Sequence, residues 1–274
     1  MTPLATAHTI RPPMDRPARI ADSFSRAAEH YDSAAEVQRM AADRVVDVAL
    51  RHLAGVPQPR ILEVGCGTGY VSQRLLQAIP GGTFLVTDLA QGMVDEAQRR
   101  LGGDPRTTFS LLNGEHPDAP QAGTFDLIVS SLAVQWFAGL GQGLRGLAGL
   151  LAPGGRLVVS TLGQGALQQW RDAHRVHNLP CSTPEYPSPE WFRTVWPPHG
   201  HGSLEADLVR DVCYADGRAF VETLQVLGAA TPMIGEVRLG PGQLRRVFRE
   251  LGTACSVTWR VLVFEFHDGR SAES

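Results

Sequence analysis

The stretch ILEVGCGTGY, residues 61–70, sets Gly65, Gly67 and Gly69 at alternate positions directly after an apolar run that carries one carboxylate, Glu63. Glycine reaches φ > 0 and lets a ligand approach the bare main chain. The next apolar run, TFLVT, ends in Asp88. That is ~20 residues past the last glycine, where an acidic side chain can grip ribose hydroxyls. An apolar run, an acidic residue, alternating glycines and then helix-forming residues make a nucleotide-type site. It is expected beyond the carboxyl ends of parallel strands, at the switch point of a sheet.

Two ligand classes share that layout. Dinucleotide sites use G-x-G-x-x-G, whose close-packed glycines admit a pyrophosphate. Here the third glycine comes one position early and Tyr70 holds the dinucleotide slot. A carboxylate at Glu63 would repel a pyrophosphate but could face an ammonium group. The combination suits S-adenosylmethionine, a nucleoside joined to a zwitterionic amino acid without phosphate.

Composition narrows the chemistry further. Every basic residue counted in the 25 Lys+Arg is arginine. With no lysine there is no Schiff-base or pyridoxal chemistry and no phosphate-loop lysine. A formal charge of −3 argues against a general nucleic-acid binder. The 9 histidines show no H-x-x-x-H spacing, and His199 and His201 sit in a Pro/Gly-rich loop, so no metal is expected. Cys66, Cys181, Cys213 and Cys255 are far apart and are expected to be reduced thiols. No stretch approaches the ~20 apolar residues of a membrane span, and the proline-bearing N-terminus lacks the apolar core of a signal peptide. A cytoplasmic location without membrane contact is therefore expected.

The elements that must position these residues follow from periodicity. Strands are predicted over 60–64, 83–87, 107–112, 125–131 and 155–162. Between them, Val71, Leu75 and Ile79 share one helical face, Met93, Ala97 and Leu101 a second, and Leu144, Leu147 and Leu151 a third. Strands alternating with helices predict an α/β fold, a mostly parallel sheet with helices on both faces. A helix is predicted over 24–52, from Val37, Ala41, Val45 and Val48. Residues 163–203 change to a helical run followed by six prolines, an insertion expected to lie over the sheet. A strand over 206–215, helices over 217–229 and 241–251, and a closing strand in VTWRVLVFEF complete the reading. The domain plan is a flexible tail, 1–22, and one domain, 23–274. Within it lie a lid (23–55), a cofactor-binding core (60–162), a cap insertion (163–205) and C-terminal strands and helices (206–266).

EVGCGTGY, the acidic strand end at Asp88, FDLIVSS and LLAPGGRLVVST together resemble the class I S-adenosylmethionine-dependent methyltransferases, over residues 60–162. The resemblance implies a Rossmann-like seven-stranded sheet with an N-terminal helical lid. It also implies a cofactor site of Glu63, Gly65, Cys66, Gly67, Gly69, Asp88, Leu89, Met93, Asn113, Gly114 and Ser130. In it Gly65 and Gly67 line the methionine portion, Asp88 takes the ribose, Leu89 and Met93 pack on adenine and Asn113 meets the adenine edge. S-adenosyl-L-homocysteine would be the product.

The flanks are similar to one branch of that family. FSRAAEHYDSAAEVQRMAADRV, SSLAVQWF, STLGQGALQQWRDA and LQVLGAAT resemble segments of the malonyl-acyl-carrier-protein O-methyltransferases of biotin synthesis, although Ser131 stands where asparagine is usual. The implied reaction is methylation of the free carboxylate of a malonyl thioester on acyl carrier protein or coenzyme A, by a monomer. Tyr31, Gln135 and Trp136 are the implied positioners. Arg26 is the first choice for holding the carboxylate bidentately. Arg171 with Arg175, or Arg238, Arg245, Arg246 and Arg249, would dock the acidic carrier. A free small-molecule acid or other small acceptor, an assembly factor and a noncatalytic cofactor-binding relative stay open as alternatives.

Overall fold

The computed structural model describes residues 15–53, 55–117, 123–231 and 239–270. Its sheet has seven strands in the order β3-β2-β1-β4-β5-β7-β6. These are β1 (Arg60–Val64), β2 (Thr83–Asp88), β3 (Thr107–Leu111), β4 (Phe125–Ser131), β5 (Leu151–Leu162), β6 (Gly200–Asp216) and β7 (Thr253–Asp268). β1 to β5 pair in parallel, whereas β7 runs antiparallel between β5 and β6. Strand order reverses at β1, between β2 and β4, so the carboxyl ends of β1 and β4 open a crevice there.

Helices cover both faces. On one, α2 (Glu36–Leu53), α3 (Tyr70–Ala78) and α4 (Gln91–Leu101) bury Val45, Val48, Val71, Leu75, Ala97 and Leu101 against the sheet. On the other, α5 (Leu140–Gly149) buries Leu144 and Leu147, joined by Phe192 of the short helix α7 (Pro189–Phe192) and by Val195, both in the inserted segment. Phe192 stacks on Phe264 of β7 at 4.1 Å, a contribution of about 1 kcal/mol beyond the buried area. A third cluster joins α6 (Gln168–Val176), α8 (Gly217–Val226) and α9 (Pro241–Leu251) to the first half of β7 and to Val37 and Ala41. Among the described residues no helix is long and apolar enough to cross a membrane.

The structure revises several expectations. The helix expected over 24–52 is two helices, α1 (Arg16–Ala27) and α2, separated by a 3-10 turn at Tyr31–Ser33. The break follows from short polar side chains that compete for the backbone: Ser33 Oγ donates to the carbonyl of His30 at 2.6 Å. Residues 16–22, expected in a loose tail, form the first turns of α1, so the ordered N-terminal helical segment includes Arg16. Asp15 caps the helix by accepting from Ala18 N–H at 2.9 Å, and Pro17 sits in the first turn, where its missing N–H costs nothing. Residues 1–14 lie outside the described residues. The inserted segment ends sooner than expected, because β6 starts at Gly200. Leu151 belongs to β5, not to the preceding helix, since it pairs with Phe125 of β4.

Candidate functional site

The three glycines do three different things. Gly65 has φ +74°, and a Cβ there would collide with the Cβ of Ala133 beyond β4. Gly69, at φ +89°, packs on α4, where a Cβ would meet Leu101 at 3.0 Å and Ala97 at 3.4 Å. Around Gly67, at φ +53°, only Tyr31 comes within 4.0 Å of a Cβ position, so this is the residue whose bare backbone borders open space.

The turn is held from below and from the side. The N–H groups of Gly65 and Cys66 both donate to Thr87 O at 2.9 Å, and Gly69 N–H donates to Cys66 O. Gly67 N–H donates to Asp88 Oδ2 at 2.9 Å, while Ala90 N–H donates to Asp88 Oδ1 at 2.8 Å. Burial raises the Asp88 carboxyl above its usual range, partly offset by these bonds. A pyrophosphate needs free N–H donors, but these five amides already have acceptors and the charge beside them is a half-buried carboxylate. Ribose hydroxyls, which donate, fit Asp88; a diphosphate does not.

A cavity opens over this turn, bordered by Gly65, Gly67, Asp88, Leu89, Met93 and Asn113, with Gly114, Tyr31 and Trp136. Gly114 lies against Val64 so closely that a Cβ would collide with that side chain. Helix α1 roofs the cavity: Gly92 N–H donates to Ser25 Oγ at 3.1 Å, and Phe24 meets Trp136 edge-on at 5.3 Å. Ser23 Oγ donates to Gly228 O at 2.9 Å, tying the same helix to the segment after α8.

Four of the residues expected to bind the cofactor do not border this cavity. Glu63 is buried, and its Oε2 accepts from both the N–H and the hydroxyl of Ser72. It locks β1 to α3 instead of facing a ligand, and burial pushes its carboxyl up to about 8. Cys66 is buried and its thiol is raised well above the ordinary value by burial and by Asp88. Gly69 supports α4 as described. Ser130 is buried and donates to Val64 O at 2.8 Å, a tie between β4 and β1.

A second cavity adjoins the first. Phe24, Tyr31, Leu132 and Trp136 border both, so they form the wall between them. Beyond it lie Gln38, Gln135, Ser182, Thr183, Tyr186 and an apolar lining that includes Trp170 and Trp259. Leu132 is in the left-handed region at φ 49°, a position a branched residue holds only when its surroundings fix it. Ser160 Oγ accepts from its N–H at 3.0 Å, and Gln135 Nε2 donates to its carbonyl at 2.6 Å. Gln135 thus lines the second cavity, not the first, and its Oε1, like that of Gln38, is buried without a partner among the described residues. Burial, then Asp88 and Asp32, raise the Tyr31 phenol, which stays a neutral donor at physiological pH.

The arginine expectations change most. Arg26 points to solvent, with 73% of its side chain exposed, and pairs with Asp22 at 2.7 Å. No arginine borders the second cavity among the described residues. Arg171 is buried, donating to Pro184 O at 2.8 Å and Gln168 Oε1 at 2.7 Å, so it does not share an exposed face with Arg175. Arg245, Arg246 and Arg249 form an exposed basic face on α9, while Arg238 lies outside the described residues. Sequence reasoning missed Leu132, whose strain has no sequence signature, and Arg16, which borders the first cavity. The Asp15 cap with Pro17 was a legible sign that Arg16 opens a helix.

Comparison with known proteins agrees with this geometry. A methyltransferase-domain family profile matches residues 62–157. A malonyl-[acyl-carrier protein] O-methyltransferase of Magnetococcus marinus is 36% identical over 222 residues, 80% of this chain and 79% of that one. The biotin biosynthesis bifunctional protein BioCD of Bordetella avium is 37% identical over 231 residues, 84% of this chain and 48% of its own length. Among solved structures, the YcgJ protein of Bacillus shares the fold at a TM-score of 0.62 and 13% identity, covering 85% of this chain and 100% of that one. A cavity over the glycine turn at the switch point, a second chamber across a shared wall and a similarity that spans four fifths of this chain and of its Magnetococcus relative agree: the chain belongs to the malonyl-acyl-carrier-protein O-methyltransferase family.

Proposed function

We propose that this protein methylates the free carboxylate of a malonyl thioester carried on acyl carrier protein, with S-adenosyl-L-methionine as donor, an early step of biotin synthesis. The observation that carries the reading is the pair of chambers sharing Phe24, Tyr31, Leu132 and Trp136. One chamber holds the nucleoside, the other the acceptor, and the methyl group crosses at their wall. In the first, Asp88 takes the ribose, Leu89 and Met93 pack on adenine, Asn113 and Gly114 border its edge, and the turn at Gly65 and Gly67 takes the amino-acid end.

When bound, S-adenosylmethionine supplies an electrophilic methyl group on a cationic sulfur. A malonyl carboxylate is ionised near neutrality, so the protein has no proton to remove. Its task is to exclude water and align the acceptor. The described polar groups of the second chamber are neutral: Tyr31, Gln38, Gln135, Ser182, Thr183, Tyr186 and Thr231. This suits a nucleophile. A bidentate guanidinium would draw charge from the carboxylate oxygens, whereas a phenol such as Tyr31 orients them at smaller cost to their reactivity. Trp136 and Phe24 supply the dry face on which the acceptor lies.

The test is turnover with purified protein, S-adenosylmethionine and malonyl-acyl carrier protein, read by mass spectrometry of the carrier. A methyl ester on the malonyl group is expected, as is rescue of a biotin-requiring strain lacking this methylation. Methylation of free dicarboxylic acids with none of the carrier-borne malonyl group would overturn the reading.

A further inference from the structure

A groove more open to solvent than either cavity runs between the start of α1 and the inserted segment. It shares Arg16, Phe137 and Ala138 with the nucleoside cavity, and Gln135 and Tyr186 with the acceptor chamber. It is therefore the outward continuation of the acceptor chamber along the roof of the nucleoside cavity.

Two charged residues border this groove among those described, Arg16 and the exposed Glu185. They form no ion pair with each other. Arg16 makes no hydrogen bond or ion pair with any described residue, and its Nε is buried without an acceptor. By contrast, Arg26 pairs with Asp22, and Arg39 donates to the carbonyl of Asp32. A buried guanidinium N–H without an acceptor bears its desolvation cost uncompensated. Arg16 is thus an anion site waiting for its anion.

The position of Arg16 decides which anion. It is absent from the acceptor chamber and from the wall of Phe24, Tyr31, Leu132 and Trp136, so it does not hold the reacting carboxylate. Its neighbour in both the cavity and the groove, Phe137, lies beside Gly114, where a Cβ would be 3.2 Å from the Phe137 ring. On the proposed function that is the adenine end of the cavity, and adenine is uncharged; the carboxylate beside it, Glu115, already accepts from Ala138 and Gly139 N–H. The amino-acid carboxylate belongs at the opposite end, by Gly65 and Gly67. The remaining anion is one on the acceptor itself, away from its reacting end.

We infer that Arg16 binds the phosphate of the acceptor's thioester arm as that arm lies in the groove. The inference rests on the carrier-borne malonyl reading, because such an acceptor brings a phosphate at the end of a flexible thioester arm, which a free diacid lacks. Guanidinium is suited to a phosphate through paired N–H donors. Arg16 is a specificity residue, selecting acceptors by a group remote from the chemistry.

The test compares malonyl-phosphopantetheine with malonyl-pantetheine, which lacks only the phosphate. Wild type should prefer the first in kcat/KM. Arg16→Ala should shrink that preference at least tenfold and Arg16→Lys should keep an intermediate preference. Arg16→Gln, which retains the helix-forming stem, serves should the alanine variant fold poorly. A preference unchanged in Arg16→Ala and Arg16→Gln, with both thioesters turned over, overturns the Arg16 assignment alone. Wild type that methylates neither thioester nor malonyl-acyl carrier protein overturns the parent reading, and this one with it; should it methylate the carrier-borne substrate alone, an unchanged KM for that substrate in Arg16→Ala overturns the Arg16 assignment.

Discussion

The hydroxyl of Thr68 donates to Asp32 Oδ1 at 2.8 Å, joining the glycine turn to the 3-10 turn that covers it. Arg100 of α4 donates to the other oxygen of Asp32 at 2.6 Å. Asp32 is therefore the latch between lid and core, and it sets the neighbouring Tyr31 over Gly67. If so, Thr68→Val and Asp32→Asn should each loosen the lid. A double-mutant cycle on S-adenosylmethionine binding should give a coupling of about 0.5–1.5 kcal/mol. Strict additivity would mean that the bond does not form in solution.

Tyr31 borders both chambers and is held neutral. Tyr31→Phe removes only the hydroxyl, so kcat should fall by roughly tenfold to a hundredfold, the range for a hydrogen bond to a charged group. The dissociation constant of S-adenosylmethionine should stay within about twofold, since ring packing is kept. An unaltered kcat would reduce Tyr31 to a packing residue.

Asp88 holds the turn through Gly67 and, on the proposed function, takes the ribose. Asp88→Ala should raise the cofactor dissociation constant at least tenfold by calorimetry, equivalent to about 1.5–3 kcal/mol. Calorimetry showing wild-type affinity would remove Asp88 from the site.

Glu63 gives a pH signature. Its folded carboxyl is raised to about 8 from the model-peptide value of 4.5, mainly by burial. The folded state then binds a proton that the unfolded chain releases. Its stabilising effect is complete below about 4.5 and is lost as pH rises through about 8, at no more than about 1.4 kcal/mol per pH unit. Asp88, also raised, acts in the same direction. Glu63→Gln can still accept from Ser72, so its urea midpoint should fall less steeply than wild type between pH 5 and 8. Parallel slopes for the two proteins would show that Glu63 is not protonated on folding.

Gly65 and Gly67 separate packing from function. Gly65→Ala should destabilise strongly, because its Cβ collides with Ala133, and Ala133→Gly should recover part of the loss. Gly67→Ala meets nothing closer than 4.0 Å, so it should cost about 1–2 kcal/mol for its backbone conformation alone. Equal losses at both positions, measured by chemical denaturation, would contradict this division.

The chain by itself determined the parallel core, because hydrophobic period, glycine turns and acidic strand ends are local signals. The strands at 60–64 and 125–131 and the helix at 241–251 stand where periodicity put them. Local signals also brought Gly65, Gly67, Asp88, Leu89, Met93 and Asn113 to one cavity. Tertiary structure decided which way polar side chains turn. Glu63 and Ser130 carry the residue types of a binding site, yet each is taken up by a neighbour, Ser72 or Val64, that is distant in sequence or on another element. Arg26 and Arg16 lie on one helix, and only the packing of α1 over the crevice sends the first to solvent and the second to the groove. Side-chain direction depends on contacts between segments far apart in the chain, and no local pattern encodes those contacts.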